Sequence, residues 1–311
     1  MRRLGHTRPS VGRGRAAAAA LVLLSLALGA CGGASHPAAP PAPAPAVQHR
    51  RLDVGGVSRT YRLYVPLSLD RNQAVPLVLV LGGVGNSADS MVGVTGFDRT
   101  ADAGNFVAAY ADGVNNTWNG GYCCLLGAAT GPDDVGFLSR LIDDVEASQK
   151  IDTDRVFAVG VSAGAIMAYR LGCELAGRIA GVGSVAGAMV LDECHPAKPV
   201  AVVEIHGTAD QLVPYQGGET AGGATQPSPP TPSVVQRWAE IDKCPGSAAT
   251  QTQGPATTSS WTGCASGTAV RLITVEGGGH VWFGPGLGPA NGAVDATNEV
   301  WGFLGSVHRT A

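Results

Sequence analysis

The sequence predicts an α/β fold, a mostly parallel sheet with helices on both faces, and three observations point to it. Short apolar runs without alternation recur along the chain, at 76–81 (PLVLVL), 106–110 (FVAAY), 155–159 (RVFAV) and 200–205 (VAVVEI). Such runs fit strands buried on both faces. Stretches with apolar residues at helical spacing lie between them, and strands alternating with helices make a parallel sheet. The 311 residues are 45% apolar and 14% charged, enough for a sizeable core.

The first thirty residues read as an address. Arg2, Arg3, Arg8, Arg13 and Arg15 form a basic start, and 16–28 is an apolar run. The run is short of the roughly 20 residues a membrane-spanning helix needs, and it fits a secretory leader. Leu28-Gly29-Ala30-Cys31 follows. It resembles the bacterial lipobox, which implies that Cys31 carries lipid and becomes the first mature residue. Two acyl chains there would hold the protein at the outer face of the cell membrane or in the envelope without spanning it. Removing five of the 21 basic residues leaves 16 against 24 acidic ones, a net charge of −8. An acidic mature chain with no basic block disfavours nucleic-acid partners. Residues 31–47 contain a Pro/Ala-rich tether (PAAPPAPAPAV), and 48–311 form the expected catalytic domain.

Along that domain, 50–65 reads as a hairpin around Gly55-Gly56. Val135, Leu138, Leu141, Ile142 and Val145 predict a helix over 134–148, and 232–242 predicts another. A strand is expected at 269–275 (AVRLITV), and Asp295 is placed to cap a final helix carrying Val300, Trp301, Phe303 and Leu304.

Seven cysteines are present. With Cys31 assigned to lipid, Cys123, Cys124, Cys173, Cys194, Cys244 and Cys264 remain, an even set that reads as up to three disulfides in an oxidising compartment. Six cysteines allow 15 pairings. Cys244 with Cys264, flanking a polar loop, is the first pair to expect. No CxxC or HxxxH spacing points to a metal site.

The chemistry gathers at strand ends. Gly160-Val161-Ser162-Ala163-Gly164 matches G-x-S-x-G, a weak motif by itself in a chain with 45 glycines. Its setting adds weight: it follows RVFAV and opens the helix-prone AIMAYRLGCEL, the strand–turn–helix arrangement of a nucleophile elbow. In that arrangement the acid and then the histidine follow Ser162 in the chain. His195, His206 and His280 are the candidates for the base. His280, in a Gly277-Gly278-Gly279 loop after a strand, is the expected one, with a loop able to swing the ring toward Ser162. His206 reads as a hydrogen-bonding residue beneath the acid's loop. Asp210, separated by four residues from the strand 200–205, is the expected acid; Glu204 is the weaker rival, and Asp192 and Glu193 are poorly placed. An oxyanion hole needs two N–H donors, expected from Ala163 and from the 82–85 loop, at Val84 first and Gly83 next.

These residues resemble the poly(3-hydroxybutyrate) depolymerase and feruloyl esterase group of α/β-hydrolases. The resemblance runs from about 50 to 307. It is carried by Asp112-Gly113-Val114 with Trp118-Asn119 and Cys123-Cys124, by 133–137 (DDVGF), by 206–210 (HGTAD) with Val213-Pro214-Tyr215, and by Gly278-Gly279-His280 with Trp282. It implies an α/β-hydrolase fold in a single domain, a Ser162–Asp210–His280 triad, an ester substrate and no metal or organic cofactor. One departure stands out. The family usually has His-Gly where this chain has Gly82-Gly83. The Gly/Pro-rich stretch 217–232 reads first as a surface insertion and second as a border of the acyl pocket.

The expected reaction is ester hydrolysis through an acyl-enzyme, on hydroxyalkanoate-type oligomers or on feruloyl or acetyl esters. With one domain using the mature residues, soluble oligomers are favoured over crystalline polymer. Two rivals are acyl transfer by the same triad to an envelope alcohol, and a non-catalytic envelope lipoprotein that keeps only the fold.

Overall fold

The computed structural model describes residues 47–123, 125–221 and 224–309. The leader, Cys31, the tether up to residue 46, and Cys124 lie outside the described residues. The strands are β1 (Gln48–Val54), β2 (Val57–Tyr64), β3 (Val75–Leu81), β4 (Val107–Ala111), β5 (Ile151–Val161), β6 (Gly181–Val185), β7 (Ala201–Gly207), β8 (Ala249–Gln253), β9 (Ala256–Trp261) and β10 (Val270–Val275). The helices are α1 (Ala88–Thr95), α2 (Phe97–Gly104), α3 (Leu125–Thr130), α4 (Asp134–Ser148), α5 (Ala163–Glu174), α6 (Thr231–Ile241), α7 (Gly288–Asn291) and α8 (Ala296–Leu304). Among the described residues no helix is long and apolar enough to cross a membrane.

The strands form one sheet in the order β1-β2-β4-β3-β5-β6-β7-β10-β9-β8. The six central strands, β4 through β10 in that order, run parallel. The hairpins β1–β2 and β8–β9 join its two sides antiparallel. This is an α/β-hydrolase fold with a mostly parallel sheet, as the alternation of the sequence implies.

The apolar runs are explained by cover on both sides. In β3, Leu77, Leu79 and Leu81 pack into the layer that holds α4, α5 and α6 residues such as Phe137, Ile166 and Trp238. Val78 and Val80 point the other way, toward Met91, Phe97 and Val300 from α1, α2 and α8. A strand clad on both faces has no reason to alternate apolar with polar. The β1–β2 hairpin turns at Gly55 and Gly56, both at positive φ (58° and 80°), which a tight two-residue turn requires. α4 spans the predicted residues, with the Asp133 side chain accepting from the Gly136 N–H at 2.8 Å. Asp295 caps α8 by accepting from the Asn298 N–H.

Several elements go beyond the sequence reading. β6 (GVGSV) carries two glycines because α8 presses on it: a Cβ at Gly181 would lie 2.6 Å from Leu304, and one at Gly183 2.6 Å from Val300. The polar loop between Cys244 and Cys264 is the hairpin β8–β9, and every residue of β8 is exposed. α1 and α2, eight residues each, meet at Gly96.

Candidate active site

Ser162 occupies the turn between β5 and α5 with φ 55° and ψ −122°. Non-glycine residues seldom take this conformation, and the surroundings enforce it. The Ser162 N–H donates to Val185 O at 2.9 Å, and its carbonyl accepts from the Ile166 N–H at 3.0 Å. The flanking glycines are sterically required. A Cβ at Gly160 would lie 2.3 Å from the Gly164 carbonyl carbon, and one at Gly164 would lie 2.1 Å from Leu81 O. Without side chains at −2 and +2, α5 can start directly against β5 and β3.

Asp210 follows β7 in a turn that buries its carboxylate completely. One oxygen accepts from the Leu212 and Val213 N–H groups at 2.8 and 2.9 Å. The other lies 2.8 Å from His280 Nδ1. Burial pushes this carboxyl up, but hydrogen bonds from His206, His280 and the Val213 N–H outweigh it and hold Asp210 well below the usual carboxylate range. An ionised carboxylate only accepts, so Nδ1 of His280 carries the hydrogen and Nε2 is left as the basic nitrogen.

The His280 loop is pinned rather than free to swing. The Gly278 carbonyl accepts from Ala209 N–H at 2.9 Å, the Gly277 N–H donates to Thr208 Oγ1 at 2.9 Å, and the Gly279 N–H donates to Asn291 Oδ1 at 2.9 Å. A Cβ at Gly207 would lie 2.1 Å from Gly278 O, so the acid loop and the histidine loop touch backbone to backbone. Ser162, Asp210 and His280 therefore all follow the C-terminal ends of parallel strands, β5, β7 and β10. Of the rivals, His206 reaches Asp210 from beneath the loop, its Nε2 3.3 Å from Oδ2, and the others stand apart. His195, Asp192 and Glu193 are exposed, and Glu204 is buried on β7 beneath the loop.

The 82–85 turn lies against Ser162: a Cβ at Gly83 would be 3.1 Å from Ser162 Cβ. The Gly85 N–H is spent on Asn116 O at 2.8 Å, and Val84 is 45% exposed at the tip. Ala163 opens α5, where the N–H has no carbonyl one turn back to donate to. The space a histidine would take at position 82 is occupied: a Cβ on Gly82 would lie 2.8 Å from Asn86 Cβ and 3.1 Å from Met91 Cγ.

Supporting residues emerge that the motifs alone left without a role. The buried Trp118 donates its indole N–H to Gly82 O at 2.9 Å. Its neighbour Asn119 donates a backbone N–H to Asp134 Oδ2 at 2.7 Å, and Arg59 pairs with Asp134 Oδ1 at 2.7 Å. The Gly/Pro-rich stretch is tied down at both sides, by Gly218 pairing with Ser228 and by the Thr225 N–H donating to Tyr122 O at 2.9 Å. Cys173–Cys194 staples the end of α5 to the segment before β7, and Cys244–Cys264 forms the pair expected first. Cys123 is also disulfide-bonded.

Comparison with known proteins places the chain among esterases. Residues 132–228 match the family described as Phospholipase/Carboxylesterase. A relative named "Putative esterase NocK", from Nocardia uniformis subsp. tsuyamanensis, is 36% identical over 87% of this chain and 90% of its own length. Feruloyl esterase B of Piromyces equi is 28% identical over 69% of this chain, which spans 41% of that protein's length. The chain belongs to the esterase family of that Nocardia relative. Among solved structures, an acetyl xylan esterase from Aspergillus awamori shares the fold at a TM-score of 0.55 and 13% identity, covering 75% of this chain and 94% of its own. As a member of this esterase group, the protein is an ester hydrolase.

Proposed function

We propose that this esterase is an exported, membrane-anchored serine esterase that cleaves carboxylic esters through an acyl-enzyme. The observation that carries the reading is the 2.8 Å hydrogen bond from His280 Nδ1 to the buried Asp210 carboxylate, on the same sheet edge as the Ser162 elbow. Ser162 Oγ attacks the ester carbonyl while His280 Nε2 takes its proton. Asp210 fixes the tautomer and steadies the imidazolium. The N–H groups of Ala163 and Val84 hold the oxyanion. His280 then protonates the leaving alcohol, the acyl group remains on Ser162, and water activated by His280 releases it.

The names of the relatives favour feruloyl and acetyl esters of polysaccharide as substrates, with hydroxyalkanoate oligomers as the second class. Anchoring is read from the lipobox-like Cys31, and export is supported by the disulfides.

A substrate panel tests the function: methyl ferulate, acetylated xylan, a hydroxybutyrate oligomer and p-nitrophenyl esters of rising chain length, on wild type and Ser162→Ala. The expected result is turnover that falls at least about a thousandfold in the variant. Acyl products on an added alcohol in place of free acid would instead mark a transferase. No turnover by folded wild-type protein would mark a binding protein.

A further inference from the structure

Behind Asp210 lies a second, fully buried histidine held between two carboxylates. His206, on β7, and the side chains of Glu204 and Asp210 are 0%, 1% and 0% exposed. Both ring nitrogens of His206 are engaged. Nε2 lies 2.9 Å from Val213 O and 3.3 Å from Asp210 Oδ2. A carbonyl only accepts, so Nε2 carries hydrogen. Nδ1 lies 3.0 Å from Glu204 Oε1, with Thr231 Oγ1 of α6 at 3.3 Å. Glu204 is itself surrounded by donors: the Tyr169 hydroxyl of α5 reaches Oε2 at 3.1 Å, and the Gly187 N–H reaches Oε1 at 3.4 Å. These donors favour an ionised Glu204, and against an ionised Glu204 Nδ1 carries hydrogen as well. The Tyr215 ring stands edge-on to the imidazole, its centroid 5.9 Å away.

We propose that His206 is a standing imidazolium, a positioning residue whose charge keeps Asp210 ionised and turned toward His280. The proposal rests on Asp210 being the acid of the triad. Two buried carboxylates flanking a neutral ring would leave one of them to take up a proton, and the one nearer His280 must not be the one to hold it. The ring supplies the compensating charge and, through Val213 O, also pins the turn whose N–H groups hold Asp210 Oδ1. Burial pulls an imidazole toward neutrality, but hydrogen bonds to Asp210 and Glu204 outweigh it and push His206 up to about 10. Burial also pushes Glu204 up. The donors converging on Glu204 favour leaving the shared proton on the ring.

The test reads the ring directly. Nitrogen-15 NMR of wild-type protein labelled at histidine is recorded from pH 6 to 9. One histidine doubly protonated throughout, its signals absent in His206→Gln, is the expected result; no doubly protonated ring above pH 8 overturns the proposal. The wild-type spectra decide this even where His206→Gln does not fold. Kinetics supply a second readout. His206→Gln is expected to lose about tenfold or more in kcat with KM within about twofold, and the acid limb of its kcat/KM profile moves to higher pH. Glu204→Gln with His206→Gln recovers part of the loss, because no unpaired carboxylate is left behind. An unchanged kcat and pH profile in folded His206→Gln overturns the proposal. The ring's charge is read without substrate, so failure of the triad reading, seen as a Ser162→Ala variant that keeps its activity, is distinguishable from failure here.

Discussion

The indole N–H of Trp118 donates to the carbonyl of Gly82 at 2.9 Å and so joins the segment after β4 to the turn after β3. Gly82 precedes the turn proposed to bind the oxyanion. Trp118 is itself fixed through Asn119, whose N–H is held by the Arg59–Asp134 ion pair at 2.7 Å. A chain of buried polar contacts thus reaches from α4 to a loop beside Ser162.

Trp118→Phe keeps an aromatic ring in place and deletes the donor, leaving Gly82 O without this partner. A lost neutral hydrogen bond is worth about 1 kcal/mol, or roughly fivefold in an equilibrium or rate. The expected outcome is a fall of that size in kcat with KM nearly constant, measured on a p-nitrophenyl ester. A raised KM with unchanged kcat would place Trp118 in substrate binding instead.

Gly82→His introduces the residue that the family resemblance implies at this position, and it is expected to destabilise this protein. Its Cβ would meet Asn86 Cβ at 2.8 Å and Met91 Cγ at 3.1 Å. Overpacking of this kind costs about 1–3 kcal/mol. Denaturant unfolding of Gly82→His, and of Gly82→His with Asn86→Gly, checks it: the second substitution should recover most of the lost stability. Wild-type stability in the single variant would show that the two positions are independent.

Asp242, at the end of α6, predicts a pH dependence. It is fully buried and accepts from the Val200 N–H at 3.2 Å and the Thr268 hydroxyl at 3.0 Å. Burial outweighs both and pushes its carboxyl up to about 7, against about 3.9 in an unfolded chain. Between those values the folded protein holds a proton that the unfolded chain has released. The group's contribution is therefore whole below about pH 4 and is lost as pH rises through 7. Asp242→Asn cannot ionise, so its stability relative to wild type should rise between pH 5 and 8. Parallel stability curves for the two proteins across that range would contradict this.

How far the fold was legible depended on cover and size. β3, β4, β5 and β7 announce themselves because strands clad on both faces carry short apolar runs without alternation. α4 announces itself through apolar spacing, and α8 through spacing and through Asp295 as its cap. β6 is hidden because close packing of α8 demands glycine at 181 and 183, which reads as a loop. β8 is hidden because an exposed hairpin strand has no apolar face to show. At the site, Ser162, Asp210 and His280 can be picked out because each lies within a few residues of the end of a recognisable strand. Trp118 and Asp134 appear only as fragments of resemblance, since their role depends on Gly82 and Asn119 meeting them in space. The Gly277–Gly279 run suggests freedom, yet two of its carbonyl and N–H groups are fixed by Ala209 and Thr208. Here glycine serves close approach.

The central claim, that Ser162 is the nucleophile of an esterase, is tested most directly by covalent labelling. The folded protein is treated with a fluorophosphonate, its esterase activity is followed, and the adduct is located by peptide mass mapping. One adduct per chain is expected, on Ser162, forming in step with the loss of activity and absent from His280→Ala under the same exposure. Full loss of activity with the adduct on another residue, or activity that persists once Ser162 is labelled, would contradict it.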